Sequence, residues 1–149
     1  MIMNKNFIKV RTGKDVFIFT SCIVVGICAI ILPTGPAVNI AAAMLVLLGL
    51  IMAPLLKNGY KEELSGEEYL KKEHFFPLDM KHELLGRVAS KLETLDLSQK
   101  DKGTTLRLDI YHSKSAGKAY VQLMEYVPHQ YNPCADMVEY DIDKVKRLI

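Results

Sequence analysis

The most informative absence in this sequence is charge, because residues 16–56 contain no Asp, Glu, Lys, Arg or His. This run of 41 residues is too long for one membrane-spanning helix, which needs about 20 apolar residues, and fits two. Pro-Thr-Gly-Pro at 33–36 interrupts the run, and Pro and Gly are strong helix breakers. The sequence therefore predicts a transmembrane helical hairpin, with helices over 16–32 and 37–56 and a turn at 33–36.

Two other interpretations of the apolar run are weaker. A helical pair buried in a soluble core would need covering on all sides, and the residues after 56 form too small a domain to provide that cover. A cleaved signal peptide is disfavoured because a second spanning run follows the first at once.

Basic residues flank the predicted hairpin and are absent from its turn. Lys9, Arg11 and Lys14 precede the first helix, and Lys57 and Lys61 follow the second. Because basic loops stay on the cytoplasmic side, we expect an integral protein of a bacterial cytoplasmic membrane with both termini in the cytoplasm. Residues 1–15 then form a basic cytoplasmic arm, which is either only the topology signal or also lies on anionic lipid.

The predicted spans also lack ionisable side chains, which channels, pumps and transporters normally carry. They contain small residues at helical spacing, and such residues allow close helix packing in lipid. The candidate helix-packing residues are Cys22 and Gly26 in the first span and Ala37, Ala41, Gly49 and Ala53 in the second. They suit packing within the hairpin or against a second protomer.

The sequence is also poor in features of other protein classes. Three cysteines do not make a disulfide framework. Residues 57–149 hold 15 basic and 16 acidic residues, a net charge of −1, so they lack the basic surface that nucleic-acid binding requires. We expect no nucleic-acid partner.

The part after the hairpin is predicted to be a juxtamembrane helical linker at 57–77 and a cytoplasmic α+β domain at 78–149. Ser65 and Glu68 fit a helix capping box in the linker. In the domain, an amphipathic helix at 78–95 is expected to pack on a three-stranded antiparallel β-meander. The predicted strands are 105–111, 119–127 and 137–142, and the first carries Leu106, Leu108 and Ile110 on one face.

No motif in the sequence predicts catalysis. His82-Glu83 begins like the zinc motif H-E-x-x-H, but Gly86 stands at the second histidine position. One alternative remains, a metal- or ligand-dependent enzyme that uses His112, His129 and Cys134, which lie near predicted strand ends. The leading expectation has no metal, no cofactor and no enzymatic activity.

Tyrosines concentrate in the strand region, and the second strand places Tyr120, Met124 and Tyr126 on one face. If the opposite face packs on the helix, these three form a partner-binding surface. We therefore expect a non-enzymatic accessory or regulatory protein, anchored in the bilayer, that binds a protein partner or a second copy as a subunit of a membrane complex. A pore-forming oligomer of hairpins is the remaining alternative.

Overall fold

A computed structural model describes residues 5–149. Contacts divide them into a helical unit, residues 9–59, and a sheet domain built from residues 5–8 and 60–149. The helices are α1 (Gly13–Ile31), α2 (Pro36–Leu55), α3 (Lys81–Ser90) and α4 (Ile142–Val145). The strands are β1 (Phe7–Val10), β2 (Gly59–Glu62), β3 (Glu68–Phe76), β4 (Leu106–Ser113), β5 (Lys118–Val127), β6 (Gln130–Pro133) and β7 (Val138–Asp141).

The helical unit contains two helices that are long and apolar enough to cross a membrane, as the sequence predicts. Helix α1 begins after Thr12, and α2 begins with Pro36 at its first position, where the missing proline N–H is not needed. Only 11% of the most apolar stretch of each helix is buried within the protein. Core helices of soluble proteins are mostly buried, so this exposure is the opposite of their pattern.

Two glycines bring α1 and α2 together. Gly26 faces Ala42 and Val46, while Gly49 faces Phe19 and Cys22. A methyl group at Gly49 would lie 2.9 Å from the Phe19 carbonyl oxygen, which is too close for packing without a shift of the helices. The two helices therefore run antiparallel, and their backbones approach each other closely at Gly26 and at Gly49.

The structure places some of the predicted helix-packing residues in the contact between α1 and α2 and others outside it. Cys22, Gly26 and Gly49 lie in the helix contact, but Ala37 and Ala41 are exposed, and the buried alanine is Ala42. A ladder of every fourth residue drifts around an α-helix, because one turn takes 3.6 residues. The ladder in α2 therefore leaves the contact towards its ends, and Ala53 is only half-buried.

Asp15 joins the two ends of the helical unit. One carboxylate oxygen accepts hydrogen bonds from the backbone N–H groups of Thr12 (2.8 Å) and Asn58 (3.0 Å). The other accepts a bond from the Asn58 side-chain amide at 2.6 Å. We call Thr12, Asp15 and Asn58 the Asp15 clamp. The clamp connects the residue before α1 to the segment after α2, and Asp15 itself is 1% exposed.

The domain contains a seven-stranded sheet rather than the predicted three-stranded meander. Its strand order is β1-β2-β3-β4-β5-β6, and β7 also pairs with β5. Strands β4, β5 and β7 correspond to the three predicted strands, whereas β1, β2, β3 and β6 were not predicted. Strand pairs β3–β4, β4–β5, β5–β6 and β5–β7 are antiparallel.

The helical prediction for residues 57–77 is wrong, because this segment forms β2 and β3. Ser65 lies in the turn between these strands, where its hydroxyl donates to the Glu62 carboxylate at 2.7 Å instead of capping a helix. Gly66 completes the turn with a positive φ of 73°. Within the predicted arm at 1–15, of which residues 1–4 lie outside the described part of the chain, Phe7–Val10 form strand β1 of the sheet.

The main core lies between one face of the sheet and α3. Leu106, Leu108 and Ile110 of β4 are fully buried there, beneath Leu84 and Val88 of the helix. Helix α4 and Leu148 pack on the same face. The apolar face of β4, which its alternation marks, is therefore the face that meets α3.

Candidate functional site: the tyrosine face of the sheet

The opposite face of the sheet carries aromatic and charged side chains in rows that cross the strands. Cross-strand partners share a face, and Lys71, Tyr111, Tyr120 and Glu139 follow one another across β3, β4, β5 and β7. We call this surface the tyrosine face. Helices α3 and α4 both lie on the other side of the sheet.

One end of the tyrosine face is an aromatic cluster centred on Phe7 of β1. The Phe7 ring stacks on Tyr111 with their centroids 4.2 Å apart, and it meets the edge of Tyr69 at 5.3 Å. Such pairs contribute about 0.5–1.5 kcal/mol beyond the area that they bury. Burial raises the pKa of Tyr69 to about 12, so this ring stays a neutral phenol. The cluster ties the first strand to the middle of the sheet.

Tyr120 is the buried centre of this end of the face, with 2% of its surface exposed. Its hydroxyl donates to Glu139 at 3.0 Å, and the Lys5 ammonium lies 4.4 Å from its ring centroid. Lys5 also pairs with Glu62 at 2.6 Å. Burial alone would lower the pKa of Lys5, but its bonds to Glu62 and Tyr120 outweigh burial and raise that pKa.

A row of ion pairs crosses the middle of the face around Asp109, which is 2% exposed. Its carboxylate lies 2.9 Å from the Lys71 ammonium and 2.7 Å from the Arg107 guanidinium. Lys71 also reaches Glu73 at 2.6 Å. Burial acts to lower the pKa of Lys71, yet its bonds to Glu73 and Asp109 raise it above the ordinary value. These charged side chains therefore stabilise one another in their partly buried positions.

The other end of the tyrosine face is a second aromatic group, which is more exposed. Tyr131 of β6 contacts Tyr126 at 5.2 Å and Phe75 at 6.3 Å between ring centroids. The Arg107 guanidinium lies 4.4 Å from the Tyr131 ring centroid. Tyr126 is 51% exposed. We call Phe75, Tyr126 and Tyr131 the distal aromatic group.

The three residues predicted to form a partner-binding surface do share this face, but their accessibility differs. Tyr126 is exposed and Met124 is half-buried. Tyr120 is a core residue of the Phe7 cluster, so the expectation that it is exposed is wrong. Strand alternation places the three residues on one side of β5, but it cannot reveal that Phe7 and Tyr69, from strands that were not predicted, cover Tyr120.

The structure separates the residues of the alternative metal site. His112 pairs with Ala119 at the start of β5, whereas His129 lies in the turn after β5 ends. The eight residue steps from Ala119 to Val127 separate the two ends of β5 by roughly 27 Å. Cys134 lies beside Leu123, where its thiol and backbone N–H contact the Leu123 carbonyl oxygen. Across residues 5–149, no group of three or more His, Cys, Asp or Glu side chains is arranged to hold a metal ion.

Several residues of the face were missed at the sequence level, namely Phe7, Tyr60, Tyr69 and Phe75. Their strands alternate between mixed polar and aromatic residues, so they lack the apolar period of two that marks a half-buried strand. The concentration of tyrosines after residue 110 is the signal in the sequence that points to this face of the sheet.

No family model matches this chain, and no curated protein or solved structure is significantly similar to it.

Proposed function

We propose that this chain is a two-pass membrane protein with both termini in the cytoplasm, whose sheet domain binds a protein partner. In this view it is an accessory or regulatory subunit of a membrane complex and performs no catalysis itself. The observation that carries the proposal is the exposure of two long apolar helices, because such a surface is costly in water and ordinary in lipid.

The distribution of charge supports the proposed orientation. Arg11, Lys14 and Lys57 lie near the ends of the helical unit that the Asp15 clamp joins, and the connection between α1 and α2 carries no charge. Positively charged segments remain on the cytoplasmic side of a membrane. The connection at 32–35 is then exposed on the outer side.

The distal aromatic group supports the docking role. Tyr126 is 51% exposed, and Tyr131 lies beside it with Arg107 over its ring. Tyrosine and arginine are enriched in protein interfaces and among the residues that carry most of the binding energy. The neighbouring ion pairs hold this surface in one arrangement, so its side chains would lose little conformational entropy on binding.

Topology is tested by cysteine labelling in intact cells. In a background where Cys22, Cys28 and Cys134 are serine, Thr34→Cys should react with a membrane-impermeant thiol reagent. A cysteine placed at Lys144 in the same background should react only after the cells are opened. Labelling of Lys144→Cys in sealed cells contradicts the proposed orientation.

Docking is tested by site-specific photocrosslinking in the native membrane. A photoreactive phenylalanine analogue at Tyr126 should give a defined protein adduct, and Tyr131→Ala should weaken that adduct. The matched control places the same analogue at Leu64, which is 94% exposed and lies in the β2–β3 turn. Equal adducts from both positions would show that the distal aromatic group has no special role. Tyr120 stays unchanged because it belongs to the core.

A further inference from the structure

The end of the helical unit at the Asp15 clamp carries cations without acidic partners, although the Arg11 guanidinium lies 5.9 Å from the Phe19 ring centroid. Lys9, Arg11, Lys14 and Lys57 are all exposed, and none of them belongs to an ion pair within residues 5–149. Asp15 is the only acidic residue among residues 9–59. The Asp15 carboxylate accepts three hydrogen bonds, and its single negative charge leaves this end of the helical unit with a net positive charge.

The clamp also brings together the chain segments that carry three of these cations. Arg11 precedes Thr12, Lys14 precedes Asp15, and Lys57 precedes Asn58 in the chain. Each is therefore next to a residue that the clamp holds. Three neighbouring positive charges without an acidic partner repel one another, and an anion supplied from outside would relieve that repulsion.

An apolar groove starts at the same end and runs along α1. Gly13, Phe17, Thr20, Ser21 and Val24 line it, on a side of α1 different from the Gly26 contact with α2. From Gly13 to Val25 the helix rises by about 18 Å. One leaflet of a bilayer contributes about 15 Å of hydrocarbon, so the groove has the length of an acyl chain within that leaflet.

We infer that this end of the helical unit binds one anionic phospholipid, with its phosphate among Arg11, Lys14 and Lys57 and an acyl chain in the α1 groove. Charge complementarity selects an anionic headgroup over a zwitterionic one, and the apolar groove selects a lipid over a free anion. The inference rests on the proposed insertion into a membrane. It goes further, because it assigns a specific lipid site to one end of the helices.

Lipid selectivity of the full chain tests the inference. The protein is reconstituted in equimolar phosphatidylcholine and phosphatidylglycerol, and the lipids that remain bound after mild extraction are measured by mass spectrometry. Phosphatidylglycerol should be enriched. The variant Arg11→Gln/Lys14→Gln/Lys57→Gln should lose about fivefold in that preference for each removed cation. The control Lys102→Gln/Lys114→Gln/Lys144→Gln, which removes the same charge from the sheet domain, should keep it.

The position of the acyl chain is tested with a photoreactive phosphatidylglycerol. Its adducts should map to residues 13–25, and Thr20→Leu/Ser21→Leu, which fills the groove, should reduce them. Adducts spread evenly over α1 and α2, equal lipid preference in both charge variants, or displacement of the lipid by inorganic phosphate would each overturn the inference. Flotation with pure phosphatidylcholine vesicles separates the two claims, because a chain that does not float contradicts membrane insertion itself.

Discussion

The two faces of the sheet are held in different ways. Towards α3, β4 presents Leu106, Leu108 and Ile110, which are fully buried among other apolar side chains. On the tyrosine face the same strand presents Arg107, Asp109 and Tyr111, which are held by ion pairs and ring contacts. The covered face gains stability from apolar area that is removed from water. The tyrosine face gains stability from ion pairs and ring contacts, which depend on the exact placement of each partner.

This difference predicts different responses to substitution. An apolar core loses stability according to the volume that is removed. A network of charges loses little when both partners are removed together, but much when one partner is left buried alone. Neighbouring residues of β4 allow both kinds of contact to be tested in one strand.

The largest effect is expected for Leu108→Ala on the covered face. Leu108 has 0% exposure and pairs with Leu123 in the centre of the core, so truncation leaves a cavity and should cost about 2–5 kcal/mol of unfolding free energy. Denaturant unfolding of the detergent-solubilised protein measures the loss. A cost well under 1 kcal/mol would mean that α3 does not pack as described.

A smaller loss is expected for Asp109→Asn on the tyrosine face. The amide keeps the shape of the carboxylate but removes the charge that Lys71 and Arg107 share, which should cost about 1–3 kcal/mol. Lys71→Met combined with Asp109→Asn should cost less than the sum of the two single substitutions. Strict additivity in this double-mutant cycle would contradict the network.

A pH-dependent effect is expected at His74, which faces the covered side. Its Nε2 hydrogen-bonds the Leu148 carbonyl, whereas its buried Nδ1 has no partner. Burial lowers the pKa of His74, so the unfolded chain binds the proton more readily. Stability should therefore be constant above about pH 6.5 and fall below it, at up to about 1.4 kcal/mol per pH unit.

Substitution of His74 sharpens this test. His74→Gln should reduce the loss of stability in acid, while His82→Gln, which removes an exposed histidine of α3, should leave it unchanged. Burial also lowers the pKa of His112, so part of the acid response should remain in the His74 variant. An identical pH profile in His74→Gln and the unsubstituted protein would contradict the assignment.

The smallest effect on stability is expected for Tyr126→Ala. Half of this side chain is exposed, and its main contact is the ring of Tyr131, so the loss should be at most about 1 kcal/mol. Thermal unfolding measures it. A much larger loss would place Tyr126 in the core and remove the basis for its proposed docking role.

The sequence predicts best the elements whose pattern of apolar and polar residues is visible within one short segment. The run at 16–56 carries no charge over the length of two helices, and β4 alternates because one of its faces meets a core. Both patterns are local, so α1, α2 and β4 were located closely. The residues of α3 were also included in the predicted helix, although the structure replaces its ends with 3₁₀ turns.

The remaining strands could not be located from local patterns. In β3, Lys71 and Glu73 alternate with Lys72 and His74, so neither face reads as apolar, and the charged segment resembles a helix. Strand β1 has four residues and forms by pairing with β2, which follows both long helices in the chain. The aromatic cluster of the tyrosine face could not be predicted for the same reason, because Phe7 and Tyr69 reach Tyr120 only after these long-range pairings form.

The order of the chain also constrains how the protein is made. Strand β1 leaves the ribosome before the two long helices, and its neighbour β2 leaves after them. A newly made chain therefore exposes Phe7 without its strand partner until α1 and α2 have been synthesised. Their antiparallel pairing, fastened by Asp15 and Asn58, returns the chain to its starting point and shortens the loop that must close. Completion of this edge of the sheet therefore follows the synthesis and pairing of α1 and α2.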